Sequence, residues 1–316
     1  MSLTVGLFRV LFAVQDLLHP VRASGYRPDP TALGVEPGPD DRYVDMDDGV
    51  RLFYRGWIPE RPVQIVACFH GMGAYGGHLR VIGEHLKPQN VGVYVFDLRG
   101  HGLSDGPRGD FAHIDRIIAD LDVVASSLKQ QHPGVPLYFL GESLAASMVL
   151  KYAAEHPGLL AGIVLVAVEI RPLVTPSTGE VLRYLPYILW KSNSSVIEMG
   201  ERERLVSRDP GHFPRAQRDP LRTERFSVRS IVETHALIQE WPGLARKLDV
   251  PSLILQGGGD LLTDPQGARD LFDAITYPDK ELGNFPGAYH GLFYDPDTPR
   301  VLDTISRWLA SRVKAG

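Results

Sequence analysis

Apolar residues recur along this chain in two rhythms. Short apolar runs at residues 63–69, 91–96, 135–140, 162–168 and 251–256 read as buried strands, and residues 50–57 alternate as a half-buried strand does. Residues 114–128 and 301–313 carry apolar positions at helical spacing. Residues 280–282 read as a last short strand before the closing helix. Strands alternating with helices predict an α/β fold, a mostly parallel central sheet with helices on both faces.

Three stretches break this rhythm. In residues 1–20, Leu3, Leu7, Val10, Leu11, Val14, Leu17 and Leu18 fall on one helical face, with Arg9 and Asp16 opposite. Those charges interrupt the run, so it predicts an amphipathic helix and not a signal peptide or a membrane span. Such a helix packs on the body or at a dimer contact; the sharper alternative is an interfacial helix that meets lipid. Residues 21–41, rich in Pro, Gly and Asp, read as a linker. Residues 169–245 lack clear strands but carry Tyr184, Tyr187, Trp190, Phe213 and Phe226, which predicts a cap or lid inserted above the sheet. The core is then residues 42–168 and 246–316.

The 316 residues carry 33 basic and 38 acidic side chains, a net charge of −5, and no basic block points to nucleic acid. The single Cys68 excludes an intrachain disulfide, and there is neither a CxxC motif nor a Cys/His cluster with zinc spacing. Neither a cofactor nor a metal is expected. The expected location is the cytoplasm, and the chain is a monomer or a homodimer.

Three residues carry the candidate chemistry. Ser143 lies in Gly141-Glu142-Ser143-Leu144-Ala145, between an apolar run and a helical one, as a nucleophile on a strand-to-helix turn must. The stricter match, Gly102-Leu103-Ser104-Asp105-Gly106, sits in a Gly-rich loop with no helix after it. A serine hydroxyl needs an adjacent base, and His290, in the loop before the final helix, is the best placed of eleven histidines. Asp260 and Asp264 can each orient that base. Asp260 follows its strand directly through three glycines, whereas Asp264 precedes Pro265 and is expected to cap a helix over 266–272. The order Ser, Asp, His is that of α/β-hydrolases. There one oxyanion donor is the N–H after the nucleophile, here Leu144, and the other comes from the loop after the third strand, here His70-Gly71-Met72-Gly73, with Met72 as the donor.

Together His70-Gly71-Met72-Gly73, the run from Phe96 to Ser104, Gly141-Glu142-Ser143, Gly257-Gly258-Gly259-Asp260 and His290 resemble the monoacylglycerol lipase/lysophospholipase-like, serine aminopeptidase S33-type branch of the α/β-hydrolases. The likeness runs from about Asp40 to the C-terminus. It implies a serine carboxylic-ester hydrolase with a cap over an acyl pocket, a small ester or lipid substrate and no cofactor. It also places the second oxyanion donor on Met72. Gly71 and the cap residues Tyr187, Trp190 and Phe213 are expected to line that pocket. Members usually carry Gly-Gly where Ala145-Ala146 stand here. The expected reaction is hydrolysis of medium or long acyl esters of monoacylglycerol or lysophospholipid type. Short-chain esterase, aminopeptidase, C–C hydrolase and thioesterase activity, and a non-catalytic ligand binder, are the alternatives. Ser143 at the elbow argues against the dehalogenases and epoxide hydrolases, which attack with Asp.

Overall fold

A computed structural model describes residues 3–18, 26–36, 38, 40–173 and 178–313. The elements of the body run β1 (Arg42–Asp45), β2 (Arg51–Trp57), β3 (Gln64–Phe69), α2 (Arg80–Leu86), β4 (Val91–Phe96), α3 (Ile114–Gln131), β5 (Leu137–Glu142), α4 (Leu144–Glu155) and β6 (Gly162–Val166). After an insertion come β9 (Ser252–Gly257), α8 (Gln266–Ala274), β10 (Lys280–Phe285) and α9 (Thr298–Ala310). One eight-stranded sheet results, in the order β1-β2-β4-β3-β5-β6-β9-β10. Its first two pairings are antiparallel, β1 with β2 and β2 with β4, and the rest are parallel.

The central strands β3, β4, β5, β6 and β9 are buried at every position, which is why they read as unbroken apolar runs. Helices α3, α4 and α8 pack on one face, around Phe69, Phe139, Tyr152 and Leu271. Helices α2 and α9 cover the other, around Val66, Leu140, Ile305 and Trp308. In such a sheet the carboxyl ends of the parallel strands open toward one edge, where loops can carry side chains into a common crevice.

The insertion holds α5 (Thr178–Trp190), β7 (Ser195–Glu198), α6 (His212–Ala216), β8 (Arg225–Ser227) and α7 (Val228–Lys247). Two features differ from the sequence expectation. Strands β7 and β8 pair antiparallel, although no strand was legible there. Helix α7, inside the expected cap range, packs along α4 and sends Leu237, Leu244 and Ala245 into the main core.

Helix α1 (Leu3–Leu18) lies against α7 and α5. Its packed face is rotated from the predicted one. Phe12 is fully buried against Ile188 and Val228, and Arg9 donates to the buried Glu233 at 2.9 Å. Val10 and Val14, expected on the apolar face, are exposed. The side chains of Leu3, Leu7, Asp16, Leu17 and Leu18 lie outside the described residues, as do residues 19–20 and residues 21–25, 37 and 39 of the predicted linker. No described helix is long and apolar enough to cross a membrane.

Candidate active site

Ser143 stands at the turn between β5 and α4 with φ 55° and ψ −121°, a backbone conformation that a non-glycine residue adopts only when its surroundings impose it. The Ser143 N–H donates to Val166 O at 2.8 Å, anchoring the turn to the neighbouring strand. Gly141 is required here, because a Cβ on it would lie 2.3 Å from Ala145 O. Ala145 and Ala146 are fully buried, and their methyl groups pack into the main core. They do not line the cleft around Ser143.

His290 Nε2 lies 2.8 Å from Ser143 Oγ, and its Nδ1 lies 2.8 Å from Asp260 Oδ2. All three side chains are buried. Asp260 also accepts from Thr263 Oγ1 and Gln256 Nε2 through Oδ2, and from the N–H groups of Leu262 and Thr263 through Oδ1. Burial pushes its carboxyl up, but the His290 charge and these hydrogen bonds prevail and leave it below the usual carboxylate range. Burial pulls His290 down, yet the charge and hydrogen bond of Asp260, helped by Glu169 and Glu142, leave it above the ordinary histidine value. Asp264 takes the other role: it accepts from Gln266 N–H at α8 and approaches Arg171 at 3.5 Å.

Gly71 and Met72 line the same cleft as Ser143 and His290. Gly71 has no space for a side chain, since a Cβ would stand 2.9 Å from Ser143 Cβ. Among the described residues, neither Met72 N–H nor Leu144 N–H donates to a protein acceptor; Met72 lines the serine's cleft and Leu144 follows the serine in the chain. The loop carrying Met72 is held by His70, whose Nδ1 meets Gly71 O at 2.8 Å and whose Nε2 accepts from Leu98 N–H at 2.9 Å. Burial drives His70 down to about 3, so the ring is neutral and serves as a brace. Ser104 is also structural: it is buried, accepts from Phe53 N–H and donates to Asp97 O.

The structure does not bring Tyr187, Trp190 or Phe213 to the cleft. Tyr187 packs in the small cluster beneath α1, Trp190 is 69% exposed, and Phe213 lies under the Arg204 guanidinium. The insertion supplies other residues instead, among them Met199, Arg202, Val206 and Phe226. Other lining residues that sequence reasoning missed include His78, Glu142, Glu169 and Tyr294. Glu142 alone carried a signal, its place beside the nucleophile. The cleft is small, with a volume of about 100 Å³.

A Ser-His-Asp chain at the carboxyl edge of a parallel sheet, beneath an insertion, defines an α/β-hydrolase. The family model for serine aminopeptidase, S33, matches residues 60–297, and the chain belongs to that family, in its monoacylglycerol lipase-like branch. It is similar to the monoacylglycerol lipase of Mycolicibacterium smegmatis, 29% identical over 272 residues that cover 84% of this chain and 95% of that one. The monoglyceride lipase of Rattus norvegicus is 29% identical over 275 residues, covering 84% and 89%. Among solved structures, the monoacylglycerol lipase of Paleococcus ferrophilus superposes with a TM-score of 0.74 at 28% identity, covering 82% of this chain and 98% of that one. A soluble variant of the Saccharomyces cerevisiae monoglyceride lipase shares the fold, with a TM-score of 0.76 at 20% identity, covering 91% and 100%. This chain is therefore a hydrolase of the serine ester-hydrolase class.

Proposed function

We propose that the protein hydrolyses carboxylic esters through an acyl-enzyme on Ser143. The observation that carries this reading is the continuous chain from Ser143 Oγ through His290 to Asp260, each step 2.8 Å. His290 takes the Ser143 proton as Oγ attacks the ester carbonyl. Asp260 holds the ring in the tautomer with hydrogen on Nδ1 and stabilises the imidazolium. The N–H groups of Met72 and Leu144 receive the oxyanion. The imidazolium protonates the leaving alcohol; water then attacks the acyl carbonyl as His290 takes its proton, and the imidazolium returns a proton to Ser143 Oγ as the acyl–oxygen bond breaks and the acid is released.

The acyl chain in this reading is medium or long, of the monoacylglycerol or lysophospholipid type. The names of the similar lipases support it, as do the apolar residues Met72, Met199, Val206 and Phe226 in the cleft. A cleft of about 100 Å³ is far below the several hundred that drug-sized ligands occupy. A long chain therefore requires the insertion to lift. The same smallness favours one second reading, a short-acyl esterase. Contact with a lipid surface would fall to Val10, Val14 and Trp190, which are exposed.

Hydrolysis of a p-nitrophenyl ester series from acetate to palmitate, with wild type beside Ser143→Ala, tests both. We expect turnover only by the wild type, peaking at medium or long chains. A peak at acetate moves the substrate to short esters, and equal turnover by Ser143→Ala removes the serine mechanism.

A further inference from the structure

The residue before the nucleophile is a buried carboxyl that the mechanism above does not use. Glu142 is 3% exposed, ends β5 and lines the cleft beside Ser143. Its Oε2 accepts from the Tyr294 hydroxyl at 3.0 Å, while its Oε1 is buried with no partner among the described residues. Tyr294 lies four residues beyond His290, so this bond ties the nucleophile's turn to the loop that carries the base. The Tyr294 ring is itself held, stacked on His212 at 5.1 Å and edge-on to His78 at 5.5 Å between ring centres.

A glutamine at 142 would accept the same bond and carry no charge. A carboxylate with one satisfied oxygen is costly to bury, and a fully structural role has no use for it. Its charge does have a use at the instant His290 becomes an imidazolium. Resting on the proposed serine mechanism, we propose that Glu142, held by Tyr294, is a positioning residue that keeps the base loop on the elbow and stabilises the protonated form of His290 alongside Asp260.

His290 faces Asp260 from the loop after β9, Glu142 from β5 and Glu169 from the loop after β6. Glu142 faces His290 and Tyr294 from the base loop, His78 from the turn after β3, and Glu203 from the insertion. Arg202 of the insertion faces Glu169. Burial pushes Glu142 above the usual carboxylate range, and His290, Tyr294 and His78 act against that push. Protonation of His290 and ionisation of Glu142 therefore favour each other.

The test is a pH titration of the His290 ring by nitrogen-15 NMR, its signal assigned by loss in His290→Gln, with ester hydrolysis measured in parallel. Glu142→Gln should move the His290 midpoint to lower pH and reduce kcat roughly tenfold with KM little changed. Tyr294→Phe, which keeps the ring packing, should move the midpoint the same way by less, because Glu142 loses the bond that favours its charged form. Glu142→Asp should recover part of both effects. A midpoint unchanged in folded Glu142→Gln or in Tyr294→Phe overturns the proposal, even if kcat falls. The titration needs no turnover, so it stands apart from the Ser143→Ala comparison that decides the serine mechanism.

Discussion

Asp260 meets His290 through one carboxylate oxygen and takes two N–H groups of its own loop on the other. Oδ2 lies 2.8 Å from His290 Nδ1, and Oδ1 accepts the Leu262 and Thr263 N–H groups at 2.8 and 2.9 Å. The carboxylate is thus fixed before the base reaches it, which is what preorganised support for an imidazolium requires.

Asp260→Asn should therefore be severe. An amide can turn its NH₂ toward His290 and force the wrong tautomer, a change that costs on the order of ten-thousand-fold in kcat in serine-triad enzymes. Asp264→Asn should leave kcat near wild type and stability within about 0.5 kcal/mol, since Asp264 is a surface residue at the start of α8. Steady-state kinetics on one ester with both variants check this. The reverse ranking would exchange the roles of the two residues.

The same pair sets a pH dependence. The free enzyme needs His290 neutral, and His290 lies above the ordinary histidine value. The acid limb of kcat/KM should then fall above pH 6.5, the ordinary value from which it is raised. Stability runs with the opposite sign for the two partners. The His290 contribution is present below the unfolded histidine value and lost as pH rises through the folded one. The Asp260 contribution is present above the unfolded carboxylate value and lost as pH falls through its depressed one. An acid limb below pH 6 would contradict the raised His290.

Ser143 and Asp260 were legible in the sequence because each sits just past a strand, beside glycines forced by close backbone approach, and His290 because it lies in the loop between the last strand and the last helix. Local pattern carries that information. The pocket walls carry no such pattern. Tyr187 and Trp190 share α5, yet which way that helix faces depends on docking against α1 and α7, and the docked face is not the one toward Ser143. Strands β7 and β8 have four and three residues, too few for alternation to register. Arg9 read as the solvent side of α1, because an ion-pair partner 224 residues away leaves no local trace.

Asp97 offers a test of the scaffold behind the site. It is fully buried after β4 and accepts from Gly76 N–H at 2.6 Å, Leu103 N–H at 2.7 Å and Arg55 Nη1 at 2.8 Å. These bonds join the turn after the Met72 loop to the loop after β4, which His70 also meets through Leu98 N–H. Asp97→Ala would strand two buried N–H groups and a guanidinium, at a cost of about 3–5 kcal/mol. Asp97→Asn, still able to accept, should cost less. Urea unfolding of both variants measures the difference; equal and small losses would mean that the loops are held elsewhere.

Helix α1 supplies the last prediction, because its two readings call for different faces. Packing uses Phe12 and Arg9, while lipid contact would use Val10 and Val14 on the exposed side. Phe12→Ala removes a fully buried ring and should cost about 3 kcal/mol of the contact that holds α1 on α5 and α7. Arg9→Ala should add to the loss, since it leaves the buried Glu233 carboxylate with His113 and the Ile114 N–H as partners. Hydrogen exchange of the α1 amides should rise in both variants. Val10→Ser with Val14→Ser should leave that exchange unchanged, and co-sedimentation with liposomes then isolates the outer face. Binding lost only in the valine double variant would assign that face to lipid. Equal sedimentation of wild type and double variant would leave α1 as a strut for the insertion, joined to the body through Glu233.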